Sequence, residues 1–366
     1  AGAVFPARAV DTGPVPVSVR AIDNFRIGLS ETMFGPLEFV GGLEMRAPGF
    51  GSMSAFRFLS PGGDFIGVAD TGLWFFGRIE RDAALRPVGI ADLRTEPMLG
   101  EDGKTFPDKR FADAEGLDVE DGIATVGFER EHRVAQYRID PAGMGTPLRK
   151  LDFLVPKREL RRNRGFETVV RAHPHGRHEG GLVVISEKSI DKAGNIFAAI
   201  IEGPNRGVFT VRRDPDFDIT DGALLPNGDI LILERSFTLS SGLRMRLRRL
   251  YGESIARGAG ADGPVLFSAD MGYQIDNMEG MDVWRRADGA TIVCGGRPAD
   301  GPGNFFPLTI VTDIDDGAPL VDEEQFGPVL PVIRYRDVDD AVARANRLDV
   351  GLGASVWSSD VGRARE

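Results

Sequence analysis

Between about residue 50 and residue 290 the chain alternates short apolar runs with turn-forming residues, and helical periodicity is scarce. Gly72-Leu73-Trp74-Phe75-Phe76, Ile123-Ala124-Thr125-Val126, Val134-Ala135-Gln136-Tyr137 and Leu182-Val183-Val184-Ile185 have the length and the β-branched and aromatic content of strands. Two longer stretches share one turn. Phe58-Leu59-Ser60-Pro61-Gly62-Gly63-Asp64-Phe65-Ile66 and Leu224-Leu225-Pro226-Asn227-Gly228-Asp229-Ile230-Leu231 each set Pro-(Gly/Asn)-Gly-Asp between apolar runs, the chemistry of a tight hairpin. In Leu243-Arg244-Met245-Arg246-Leu247-Arg248 apolar and basic residues alternate strictly, so one face packs and the other carries three arginines. That strand reads either as a solvated outer strand whose charges discourage edge pairing, or as an anion site for a phosphate or carboxylate.

One phrase sets a register on this pattern. Asp113-Ala114-Glu115-Gly116-Leu117-Asp118-Val119 returns as Asn277-Met278-Glu279-Gly280-Met281-Asp282-Val283. Weaker copies stand at Asn163-Arg164-Gly165-Phe166-Glu167-Thr168-Val169, at Ile219-Thr220-Asp221-Gly222-Ala223-Leu224 and at Ser52-Met53-Ser54-Ala55-Phe56. The key positions Ser54, Glu115, Glu167, Asp221 and Glu279 recur roughly every fifty to sixty residues, about one four-stranded propeller blade. The pattern predicts an all-β fold, a β-propeller of five or six blades over residues 1–290. Short apolar runs upstream, such as Val15-Pro16-Val17-Ser18-Val19, suit an N-terminal strand that completes the last blade. After about residue 290 the grammar becomes α/β: Asp337 is placed to cap a helix with Val338, Ala341, Val342 and Ala345 on one face, before a strand at Ala354-Ser355-Val356-Trp357.

Composition narrows the chemistry. The 366 residues are 42% hydrophobic with 47 glycines and 23 prolines, as suits many short strands joined by turns. A net charge of −11 argues against nucleic acid or an anionic membrane as partner and favours small cations. The single cysteine, Cys294, excludes an internal disulfide framework, and no stretch has the apolar length of a membrane span. Either the protein is cytoplasmic or an export signal has been removed from the chain. If each register position opens the innermost strand of its blade, Glu115, Glu167, Asp221 and Glu279 converge on the central channel. Gathered oxygen ligands of this kind suit calcium; the alternative is that these acids only cap neighbouring strand ends. Nucleophile motifs are poor. No Gly-x-Ser-x-Gly occurs, and Ser189-Ile190-Asp191-Lys192 runs into a hairpin tip. His173, His175 and His178 with Glu179 are metal-ligand residue types in a loop whose spacing fits no zinc pattern; His132 reads as structural or exposed.

Glu115-Gly116-Leu117, Arg164-Gly165-Phe166-Glu167, Asp218-Ile219-Thr220-Asp221 through Leu233-Glu234-Arg235, the arginine strand and Gly272-Tyr273-Gln274-Ile275-Asp276-Asn277-Met278-Glu279-Gly280 together resemble the bacterial "esterase-like activity of phytase" family over residues from about 15 to 290. The resemblance implies a β-propeller, usually exported to the periplasm, with hydrolase character. The better-understood β-propeller phytases use a calcium-rich acidic channel, but their Asp-Ala-Asp-Asp-Pro-Ala motif is absent here. Residues 291–366 resemble the C-terminal part of an aldehyde dehydrogenase, carried by Gly295-Gly296-Arg297-Pro298, Pro307-Leu308-Thr309-Ile310-Val311, Glu323-Glu324-Gln325-Phe326-Gly327-Pro328-Val329 and Ala345-Asn346 through Gly351-Leu352-Gly353. In that family the residues matching Glu324 and Phe326 contact the nicotinamide end of the cofactor. The dinucleotide segment and the catalytic cysteine have no counterpart, and Cys294 lies outside the nucleophile's context. The expectation is therefore a chimera: a periplasmic or secreted hydrolase of a small phosphate or carboxylic ester, holding Ca2+ in its channel and carrying a dehydrogenase fragment without dehydrogenase activity. Its last blade would be cut short after inner and second strands at Met281-Asp282-Val283-Trp284 and Ala290-Thr291-Ile292-Val293. A non-catalytic ligand-binding propeller is the alternative, and the oligomeric state stays open.

Overall fold

The computed structural model describes residues 15–48, 50–140, 142–161, 164–173, 178–284, the backbone of 291–294, and residues 309–323 and 329–347. The chain forms two compact units, Ala1–Trp284 and Arg285–Glu366.

Among the described residues the first unit is a propeller with four complete blades, each a sheet whose first strand is innermost. The first blade runs Met53–Phe58, Asp64–Ala69, Leu73–Arg81 and Pro87–Pro97; the second Ala114–Glu120, Ile123–Phe128, Arg133–Arg138 and Arg149–Leu151. The third runs Phe166–Arg171, Leu182–Ile190, Ile196–Ile200 and Gly207–Val211, to whose edge Gly260–Ala261 adds a short parallel strand. The fourth runs Asp218–Leu224, Ile230–Thr238, Gly242–Leu250 and Val265–Ala269. Blades adhere because alternate residues of each strand face the next sheet. Ile66, Val68 and Trp74 of the first blade pack on Leu117, Val126 and Tyr137 of the second, and Ile185 and Ile200 of the third on Ile219 and Ile232 of the fourth.

The count of five or six blades is corrected to four blades and a closing segment. Asn277–Val283 takes the inner position between the fourth and first blades, but no strand forms there. Its bonds run mostly through side chains: Thr220 Oγ1 donates to Met278 O (2.8 Å), Met281 N–H donates to Asp221 Oδ2 (2.8 Å), and Phe58 N–H donates to Asp282 Oδ2 (2.7 Å). Trp284 ends the segment against Phe58, ring centroids 4.8 Å apart, beneath the Arg81 guanidinium. The strand assigned from sequence to the rest of this blade, Ala290 to Val293, forms as Thr291–Cys294 and belongs instead to the second unit, where it pairs with Thr309–Thr312.

The N-terminal strand completes no blade. Ser18–Ile22 pairs with Gly42–Arg46 as a separate two-stranded leaf. The chain around it bridges the outer sides of the flanking blades: Val15 N–H donates to Leu93 O of the first (2.7 Å), while Phe25 and Phe34 pack on Phe267 and Tyr273 of the fourth. The second unit contains the sheet Thr291–Cys294, Thr309–Thr312, Val329–Pro331 and the helix Val338–Ala345, which Asp337 caps by accepting from Asp340 N–H (2.9 Å). Glu324, Phe326 and the strand expected at Ala354–Trp357 lie outside the described residues. Among those described, no helix is long and apolar enough to cross a membrane.

Candidate functional site

Each inner strand carries a β-bulge at the same place. Pairing with the second strand steps from Met53 to Ala55, from Ala114 to Gly116, from Phe166 to Thr168 and from Ile219 to Asp221. The skipped residues are Ser54, Glu115, Glu167 and Thr220. A bulge leaves its extra residue out of the ladder and re-aims its side chain, here for Ser54, Glu115 and Glu167 into a cavity of about 450 Å³ at one end of the axis. Glu279 of the closing segment joins them.

The register read from sequence is therefore one residue off in the fourth blade. Thr220, not Asp221, is the counterpart of Glu115, and a one-residue slip turns a side chain to the other face. Asp221 is fully buried below the cavity, where Arg57 donates to both of its oxygens at 2.8 Å. Arg57 also donates to Val169 O, Gly222 O and Met281 O, so one guanidinium lies across the axis and ties three blades to the closing segment. Asp221 is a structural anchor and not one of the gathered ligands.

A second ring escaped the sequence reading. One step beyond each bulge, the second strand presents Asp70, Glu129, Glu187 or Arg235; the first three are fixed by N–H donation to Ser52 O, Asp113 O and Gly165 O, and Arg235 pairs with Asp218. All four line the cavity. Their signal was available, because they hold one position in successive repeats, but it appears only when second strands are aligned with one another.

Eight carboxylates line this cavity against four cationic side chains. Asp113 pairs with Lys109 (2.9 Å) and Arg130 (2.6 Å), Glu187 with Arg164 (2.6 Å), Asp70 with Lys109 and Glu279 with Arg235. Among the described residues Glu115, Glu129 and Glu167 have no cationic partner. Burial pushes Glu115 and Glu167 well above the usual carboxylate range; a hydrogen bond from Ser54 opposes the shift at Glu115, and the Glu115 charge adds to it at Glu167. Burial likewise pushes Glu129 up to about 7 and raises Glu187 and Glu279, against the pull of their arginines. Two sets of acids bring carboxylate oxygens within 4.8 Å of one another: Asp113, Glu115 and Glu129, and Glu129, Glu167 and Glu187. Glu129 belongs to both.

Other candidates fall elsewhere. Arg246 and Arg248 are buried around Glu234, and Asp214 and Asp262 take further nitrogens, so the arginine strand is neither solvated nor open to an anion at these positions. Ser189 is buried and donates to Arg164 O (2.7 Å), while Lys192 is exposed. His173 and Glu179 are exposed, His178 is buried, His132 is half-buried, and His175 lies outside the described residues, as does the side chain of Cys294.

A ring of β-blades whose inner strands turn their acids into an axial cavity defines a β-propeller with an oxygen-rich mouth. The family described as "Esterase-like activity of phytase" matches residues 48–294, and the chain belongs to it. The aldehyde dehydrogenase family matches residues 271–366. Over 74 residues, 20% of the chain, it is 50% identical to a succinate-semialdehyde dehydrogenase (NADP+) of Mycobacterium avium, and over 79 residues 46% identical to one of Mycobacterium ulcerans. The chain spans 16% and 17% of the length of those relatives. An aldose sugar dehydrogenase of Streptomyces coelicolor, solved with bound PQQ, aligns over 78% of this chain and 79% of its own, with 12% identity and a TM-score of 0.35.

Proposed function

We propose that the propeller is a divalent-cation-dependent hydrolase of phosphate or carboxylic esters, working at the mouth cavity, with calcium as the cation best suited to its oxygen-only ligands. Glu167 carries this reading. It is 6% exposed, lines the cavity, and has neither a hydrogen-bond donor nor a cation as partner among the described residues. A buried carboxylate in that position needs a proton or a metal ion. Glu129 would hold the ion together with Glu167 and Glu187 or with Asp113 and Glu115, the two sets of carboxylates that it shares. A bound cation of this kind polarises a phosphoryl or acyl oxygen and lowers the pKa of an attacking water.

The chain's own residues do the rest. Gly165 N–H donates to Glu129 Oε1 (3.1 Å), which fixes that carboxylate and leaves Oε2 to face the ion. The Ser54 hydroxyl beside Glu115 favours the charged form of that carboxyl. Arg57 fills the axis below, so water and substrate reach these acids from the mouth. A calcium site of this kind would suit a protein working in the periplasm or outside the cell, where calcium is abundant.

Thermal unfolding with calcium and with a chelator is the direct test. A hundredfold excess over Kd should stabilise the folded chain by about 2.7 kcal/mol. Glu167→Gln should abolish that rise together with turnover of a chromogenic ester or phosphate. A rise without turnover of either would leave a binding propeller, and no rise would remove the metal from the reading.

A further inference from the structure

The cavity lining is not acidic throughout. At the second-strand position the first three blades carry Asp70, Glu129 and Glu187, whereas the fourth carries Arg235, and the bulge of that blade is Thr220 where the second and third blades have Glu115 and Glu167. Arg164, just ahead of the third inner strand, adds a guanidinium to the lining beside that of Arg235, while Arg130 is taken up by Asp113.

Both arginines are counter-ions, but with little of their capacity. Arg235 uses Nη1 on Glu279 and Asn277, and Arg164 uses Nη1 on Glu187 at 2.6 Å. Their remaining guanidinium nitrogens bond nothing among the described residues. A guanidinium offers five N–H donors in a planar fork that matches phosphate and carboxylate geometry. Neutralising a glutamate takes one nitrogen; two partly used forks on one wall have donors left over.

We propose that Arg164 and Arg235 form an oxyanion-binding wall, so that the substrate bears a phosphate- or carboxylate-type group held there while the reacting ester faces Glu115, Glu129 and Glu167. This rests on the reading of the cavity as a cation-dependent hydrolase site. Eight carboxylates repel an anion unless positive charge offsets them, so the wall takes its ligand with the cation present, and each strengthens binding of the other. The two arginines are binding and positioning residues.

The test is calorimetric titration of phenylphosphonate, an inert anion with a phosphate-like head, into the full chain with calcium and with a chelator. Calcium is titrated separately into the same proteins. Arg164→Gln and Arg235→Gln should each weaken phenylphosphonate binding about tenfold or more, the value of a charge-assisted hydrogen bond. They should leave calcium affinity equal to or tighter than that of the unaltered chain. Arg235→Lys keeps the charge beside Glu279 without the fork, and should fall between. Full phenylphosphonate affinity in the glutamine variants overturns the wall, as does a calcium-loaded chain that takes up no phenylphosphonate. A chain that binds no calcium yet binds phenylphosphonate through these arginines keeps the wall and overturns the cation reading.

Discussion

At the scale of single residues, burial decides more than sequence neighbourhood. Asp118 lies one layer below the cavity, accepts from Arg171 N–H (2.9 Å), and is pushed by burial up to about 6 although Arg57 pulls the other way. A carboxyl whose folded pKa exceeds its unfolded value binds more protons in the native state, so its contribution to stability falls as pH rises from about 4 to about 6. Asp118→Asn should flatten that slope and gain up to about 3 kcal/mol above pH 6, read by denaturant unfolding at several pH values. The cavity acids make a parallel case. Protons compete with a cation for Glu129, so calcium affinity should rise with pH and level off above about 7, the value burial gives that residue. Titrations at pH 6 and pH 8 with equal affinities would contradict this. Glu115, Glu167 and Glu279 could be singled out from sequence because a Glu-Gly or Glu-Thr pair follows recognisable apolar neighbours. Asp221 was misplaced because Asp-Gly imitates that pair one step late, and nothing in the chain marks that the bulge falls on Thr220. Arg57 had no signal, since its partner Asp221 is 164 residues away.

At the scale of elements, the inner strands of the second and third blades approach so closely at Gly116 that no side chain fits at that position. A Cβ at Gly116 would lie 2.7 Å from Phe166 O and 2.8 Å from Glu167 O of the next blade. Gly116→Ala should therefore cost about 1–3 kcal/mol and move Glu115 away from Glu167, with calcium response falling as well as stability. Asp221→Asn should behave differently. It leaves Arg57 buried without its counter-charge, a loss of about 3–5 kcal/mol, while the calcium-dependent shift persists in whatever fraction remains folded. The hairpins around Pro61-Gly62 and Pro226-Asn227 were legible because turn chemistry is local. The inner position of the closing segment was legible from its copy of the repeated phrase, but its lack of a strand was not, because it is held by long-range side-chain bonds and not by a ladder.

At the scale of the molecule, ring closure depends on residues near the end of the first unit. Without Asn277–Trp284, Arg57 loses Met281 O, Asp221 loses Met281 N–H and Phe58 N–H loses Asp282. A chain ending at Trp284 should keep a cooperative transition and its calcium response. One ending at Tyr273 should lose both, which circular dichroism melts of the two truncations would show. The propeller class and the change of grammar near residue 290 could be read from repeats and composition. Blade number could not, because a repeated phrase marks an inner position whether or not the outer strands follow.

The bulge has a last consequence, in how such a site changes over time. Each blade donates one side chain from a socket outside the hydrogen-bonded ladder, and the four sockets already hold Ser54, Glu115, Glu167 and Thr220. Exchange at one socket alters the ligand set by a single group and leaves strand pairing untouched. Selectivity can therefore drift socket by socket on an unchanged scaffold, and grafting glutamate at 54, the one cavity-facing socket without a carboxylate, is the shortest route to a cavity with a new appetite for cations.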